Sequence, residues 1–381
     1  MQKGRILRVV IALALILAIT LSLAACKPKQ EEQQPEDLTQ RKYTIGVNTW
    51  GSGADAFDWH GGEAVYALEV FGSTVSRVSD EFTADNTLRN VQNFISAGVD
   101  GILMTCNQAP IFPTAAEAAA NAKTPFSMMI FVGDPDQRNA INGVNEYFAG
   151  AVEGDTTSDG YLMGEAAIRD GHRTAVMVGG NLGDRPIDTR VDGFTRAFEA
   201  GGGKVIDIAR CNSPAEGKDK ATALLSANRD VDCVYAMVGD YAHGAIGALD
   251  ELGLDIPVYA SHLVGNAVVE HIRNGRIVQG TAGHDLSTHL AATLLINFLD
   301  GHPVKDNGKS PDLTVKPFVV NMDNLDDFTD LFLNNSKHVL SESFLKTLTY
   351  RHNPNVTIAD YNNFLKDLSV ASLKALRAQY P

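Results

Sequence analysis

Short apolar runs alternate with helical segments along most of this 381-residue chain, and the alternation restarts once. Runs at 43–48 (YTIGVN), 73–79 (STVSRVS), 101–105 (GILMT) and 125–132 are separated by helical patterns at 62–71, 86–97 and 115–122. After about residue 150 the order repeats, with strands at 174–178, 204–209, 233–238 and 256–260 and helices at 187–200, 218–228 and 243–252. Strands separated by helices pair in parallel through right-handed crossovers, which leaves an open sheet with helices on both faces. Two stretches correspond closely: FISAGVDGILMT at 94–105 and LLSANRDVDCVYAMV at 224–238 each read as a helix, a turn ending in Val-Asp and an apolar strand. The expected fold class is α/β, with two doubly wound parallel-sheet lobes.

The first 41 residues stand apart from that pattern. Lys3, Arg5 and Arg8 precede an uncharged stretch at 9–25 that ends in Leu23-Ala24-Ala25, followed by Cys26. A basic start, an apolar middle and small residues before a cut describe a secretory signal peptide, here 1–25. The whole resembles the lipobox of bacterial lipoproteins, which implies cleavage before Cys26 and a diacylglycerol on its sulfur. Lipid chains contribute about 0.8 kcal/mol per buried methylene and can hold a soluble domain at a membrane. The alternative is an uncleaved anchor, since the apolar run is near the lower limit of about 17 residues for a spanning helix. Residues 26–41 are polar, carry two prolines and lack aromatics, and read as the lipidated cysteine and a flexible tether.

A net charge of −14 without any Lys/Arg cluster speaks against nucleic acid and anionic surfaces as partners, because both need a basic patch. The remaining cysteines, Cys106, Cys211 and Cys233, are too few and too widely spaced for a disulfide framework and read as small buried hydrophobes. Cys211 and Cys233 fall on strands expected to flank a common neighbour, too far apart for a bridge that needs Cα atoms within about 7 Å.

From residue 43 to 320 the chain resembles the type I periplasmic-binding-protein family, specifically the ribose- and galactose-type sugar-binding lipoproteins of ABC importers. The resemblance is carried in order by YTIGVN at 43–48, ISAGVDGILMT at 95–105, TSDGYLMGEAA at 157–167, Arg190-Val-Asp-Gly-Phe194, DVDCVYAMVGDYAHGAIGALDELGL at 230–254 and HIRNGRIVQGTAGHD at 271–285. It implies a clamshell of two lobes joined by three chain crossings. The first lobe is expected at 42–150 plus 284–310, the second at 151–283 plus 311–324, and a helical extension at 325–381 against the second lobe or the hinge. It further implies a monomeric receptor, not an enzyme, that captures a small polar ligand, a mono- or oligosaccharide, and delivers it to ABC permease membrane subunits. A sensor partner of a membrane receptor, a receptor for a nucleoside or other solute, and an extracellular hydrolase are the competing readings.

In open parallel sheets ligands sit beyond the carboxyl ends of the strands. Those ends supply Asn48, Trp50, Asp55, Phe57, Asp58 and Trp59, then Cys106, Asn107 and Gln108, then Asp134 in the first half. The second half supplies Asn181, Asp184, Arg185, Asp240, Tyr241, Ser261, His262, and His284 with Asp285 at a crossing. A sugar offers a C–H face to an aromatic ring and hydroxyls to Asp, Asn and Arg. The expected ligand-binding set is Asn48, Trp50, Asp58, Trp59, Asn107, Asp134, Arg185, Arg190, Asp240, Ser261 and His284. Arg190 matches the structural arginine of the family motif, Asp188 replaces the family's ligand arginine, and Arg185 is the candidate to reach the ligand in its place. No cofactor is expected: the glycine runs at 51–53 and 179–183 are neither a dinucleotide fingerprint nor a Walker loop. No G-x-S-x-G or readable nucleophile–base pair supports the hydrolase, and no metal is expected at His284, Asp285 and His289.

Overall fold

The structure, a computed structural model, describes residues 37–334 and 337–381. The expected signal peptide, Cys26 and most of the tether lie outside the described residues. In chain order the first half holds β1 (Thr44–Thr49), α1 (Asp55–Glu69), β2 (Thr74–Ser79), α2 (Ala84–Ala97), β3 (Gly101–Cys106), α3 (Phe112–Asn121), β4 (Phe126–Val132), α4 (Pro135–Ile141) and β5 (Phe148–Gly154). The second holds α5 (Thr156–Arg169), β6 (Thr174–Gly179), α6 (Arg185–Ala200), β7 (Lys204–Arg210), α7 (Gly217–Ala227), β8 (Cys233–Ala236), α8 (Gly239–Leu252), β9 (Val258–Ala260), α9 (Asn266–Arg273) and β10 (Ile277–Ala282). Then follow α10 (Leu286–Leu299), β11 (Asp312–Val315), β12 (Phe318–Val320), α11 (Leu325–Phe332), α12 (Glu342–Thr347), α13 (Ile358–Leu365) and α14 (Val370–Gln379).

The strands form two six-stranded sheets, ordered β11-β5-β4-β3-β1-β2 and β12-β10-β9-β8-β6-β7. Among the described residues, all pairs of these strands are parallel except β10 with β12. β3 and β4 are buried at every residue, as strands covered by helices on both faces must be. β6 lies between β7 and β8, and Cys106, Cys211 and Cys233 are free, buried thiols.

Several local rules explain the elements. The Thr83 hydroxyl accepts from the Asn86 amide at 3.3 Å to start α2, and Gly98 ends it in the left-handed region at φ 72°. α1 begins seven residues earlier than the hydrophobic pattern predicts, and Asp55 and Asp58 in its first turn favour the positive end of the helix dipole. The Arg-x-x-Gly-Phe motif is a helix-crossing device. A Cβ on Gly193 would stand 2.1 Å from the Thr157 carbonyl oxygen, so α6 can reach α5 only with glycine there. That approach stacks Phe194 on Tyr235 with ring centroids 4.5 Å apart and brings Arg190 to Asp159.

Three expected boundaries are corrected. β5 continues to Gly154, so the first sheet does not end at residue 150. The piece after 311 is expected in the second lobe, yet β11 pairs with β5 from Asp312↔Ala151 to Val315↔Gly154 in the first sheet. Only β12 joins the second sheet, at Gly280↔Val320. The four residues of β11 find their partner far back in the chain, which no local periodicity encodes. The extension, expected on the second lobe or hinge, packs largely on the first lobe. Arg351 donates to Asp300 at 2.6 and 2.8 Å, and Asn297 of α10 donates to the Leu348 carbonyl at 2.9 Å. α11 reaches across to α9, where Arg273 meets Asp326 at 3.3 Å.

Candidate ligand-binding cleft

The carboxyl ends of β1 to β4 face those of β6 to β9 across a cavity that is partly open to solvent. The first sheet's side contributes Trp50, Phe57, Phe82, Asn107 and Phe131. The opposite wall is built by Asn181, Asp184, Ile187 and Arg190, together with Asn212, Tyr241 and His262. Phe82 sets the aromatic floor: its ring meets Phe57 edge-on at 5.4 Å and Trp50 at 6.4 Å. A Cβ on Gly51 would lie 2.2 Å from the Phe82 ring, so the loop after β1 closes over it only because that residue is glycine.

The polar groups are built from the core outward. Asp159, fully buried on α5, accepts from Arg190 Nε at 2.6 Å and from the Thr281 hydroxyl, with His284 Nε2 at 3.3 Å. Burial pushes the Asp159 carboxyl up, but His284 and Arg190 outweigh it and hold the group below the usual carboxylate range. The same burial drives His284 down to about 4. Beside this set, Asp285 pairs with His262 Nε2 at 3.0 Å, and His60 Nδ1 lies 3.7 Å away. His60, buried and without a hydrogen-bond partner among the described residues, is lowered to about 3 by desolvation.

Among the described residues, three buried polar atoms on the cavity wall have no hydrogen-bond partner: Asn107 Oδ1, Asp184 Oδ1 and Arg190 Nη2. Asn107 follows β3 in the first sheet, while Asp184 and Arg190 flank and lie on α6 beside the second. Leaving such an atom unpaired costs about 1–3 kcal/mol each. Burial raises the Asp184 carboxyl to about 7, against the pull of Arg190 and Asn107.

Trp50, Asn107 and Arg190 are thus the expected residues that line the cavity. The other eight lie elsewhere. Asn48 donates to Asp80 at 2.6 Å and to the Thr105 carbonyl at 3.0 Å, tying β1 to its neighbours. Asp58 pairs with Arg77 at 3.2 Å, and Trp59 donates from its indole to the Phe332 carbonyl at 2.8 Å. Ser261 bonds the Tyr235 hydroxyl at 2.7 Å, and His284 is enclosed beside Asp159. Asp134 and Arg185 hold each other at 2.9 Å. Asp240 accepts from the Asp55 amide at 3.2 Å and lines a neighbouring, more open groove. Phe82, Phe131 and Asn212 line the cavity but are absent from the expected set. The strand-end rule that found Asn107 also points to Phe82, three residues beyond β2.

The comparisons with known proteins agree with this architecture. A galactofuranose binding protein superposes with a TM-score of 0.68 at 19% identity, covering 77% of this chain and 99% of its own. An ABC transporter solute binding protein from Bacillus halodurans C-125 with bound myo-inositol gives 0.65 at 18% identity, covering 75% and 97%. In sequence, the HTH-type transcriptional repressor PurR of Pasteurella multocida is 25% identical over 221 residues, 56% of this chain. The chain spans 61% of that repressor's length. The sequence profile of the periplasmic binding protein domain matches residues 50–301, and with two thirds of its length so matched and both sheets in place, the chain belongs to the periplasmic binding protein domain family.

Proposed function

We propose that the chain is an extracytoplasmic solute-binding protein, lipid-anchored through Cys26, that closes its two lobes over a small sugar and delivers it to the membrane subunits of an ABC permease. The observation that carries this reading is the set of three unpartnered polar atoms, contributed from both sides of a cavity floored by aromatic rings. A sugar ring supplies what each side lacks: a C–H face for the Trp50–Phe82–Phe57 cluster, and hydroxyls for Asn107, Asp184 and Arg190. Neither lobe alone offers all of these contacts, so ligand favours the shut arrangement and shifts the population toward it. The sugar-binding and ABC-transport proteins among the structural neighbours support the class of ligand and the permease partner.

A thermal-shift screen of D-galactose, L-arabinose, D-allose, myo-inositol, nucleosides and amino acids tests it. A ligand at a hundred times its dissociation constant adds about 2.7 kcal/mol of stability. Asn107→Ala and Trp50→Ala are each expected to weaken binding of the sugar found by roughly tenfold or more. A shift produced by nucleosides or amino acids alone refutes the sugar assignment.

A further inference from the structure

Arg185 and Asp134 lie outside the cavity, and what they do there is a separate matter from ligand contact. Arg185 opens α6 on the second lobe. Its Nε lies 2.9 Å from Asp134 Oδ1, and its Nη1 bonds Glu153 Oε1. Asp134 caps α4 and Glu153 belongs to β5, so both carboxylates sit with the first sheet. The Arg185 amide also donates to the Asn107 carbonyl at 3.4 Å, again across the cleft. Glu153 is prearranged for this contact: Arg138 Nη2 holds its other oxygen at 2.9 Å, and Arg138 is itself fixed by Asp312 at 3.0 Å and the Gly133 carbonyl at 2.8 Å. A planar guanidinium can bridge two carboxylates with separate N–H groups, which an ammonium point charge cannot do in the same geometry.

We propose that Arg185 is a positioning residue, a latch that clasps Asp134 and Glu153 across the cleft so that the protein populates the shut arrangement without ligand. The latch goes beyond the solute-binding reading and rests only on the two lobes being able to part. It makes ligand affinity depend on a side chain that does not touch ligand, because every solute inherits the same closing equilibrium.

The test contains no solute. Asp85→Cys and Lys220→Cys place spin labels at exposed positions in the first turns of α2 and α7, on opposite lobes. The full chain carrying Cys26→Ser is used, its other three thiols being buried. Pulsed electron–electron distance measurement is expected to show a short and a long population. Arg185→Gln is expected to reduce the short-to-long ratio by roughly three- to tenfold, and Arg185→Lys to restore part of it. Asp134→Asn, a surface change that leaves Glu153 in place, is expected to shift the ratio the same way by less. A single long distance in the parent protein, or a ratio unchanged in Arg185→Gln and Asp134→Asn, overturns the latch. Failure of every solute to raise the melting temperature defeats the solute-binding reading instead, and leaves these distances to judge the latch alone.

Discussion

Asp184 gives the sharpest quantitative prediction. It stands at the N-terminus of α6, and its carboxyl is raised from 3.8 to about 7, with burial as the largest cause. The unfolded chain ionises this group near 3.8, whereas the folded protein keeps it protonated until about 7. Between those values the native state binds the extra proton, so this residue's contribution to stability falls as pH rises through the window and is constant above it. Asp184→Asn removes the titration while keeping a residue favoured at the start of a helix. Each tenfold change in proton affinity corresponds to about 1.36 kcal/mol, so a rise from 3.8 to about 7 sets a ceiling of about 4 kcal/mol. The variant is therefore expected to match the parent near pH 4, to gain on it steadily, and to be the more stable protein by up to about 4 kcal/mol above pH 7.5. Urea unfolding of both proteins from pH 4 to 8 measures the difference directly. A difference independent of pH, or one that grows toward acid, refutes the reasoning.

Two further outcomes are expected. Arg351→Met strips buried Asp300 of its charged partner, leaving it the Tyr43 hydroxyl, and is expected to cost about 3–5 kcal/mol in chemical denaturation, most of it recovered by adding Asp300→Leu; a loss below about 1 kcal/mol would mean that the extension does not brace the first lobe through this pair. Cys26→Ser is expected to abolish labelling by radioactive palmitate, and continued incorporation defeats the lipoprotein assignment.

Much of the architecture was legible in sequence because it is locally encoded. The alternation of apolar runs with helical segments implied parallel sheets, since a strand buried on both faces must be apolar throughout, and β3 and β4 are buried along their whole length. The Arg-x-x-Gly-Phe motif was visible in the sequence, and the structure adds what it does: Gly193, by lacking a Cβ, lets α6 approach α5. Trp50 and Asn107 followed from the position of strand ends, which topology turns toward the cleft. Side-chain commitments were not legible, because they depend on neighbours distant in the chain. Asn48 and Asn107 occupy similar strand-end positions, yet Asp80 engages the first side chain while an oxygen of the second is left unpartnered in the cavity wall. Trp50 and Trp59 share one loop and helix, and only the placement of Phe332 in the extension draws the second indole away. Asp134 and Arg185 have the chemistry of ligand groups, but lie close enough to pair with each other once the lobes face one another. Local composition thus determined which residues could reach the cleft; the packing of segments from opposite ends of the chain decided which hydrogen-bonding groups remained available in it.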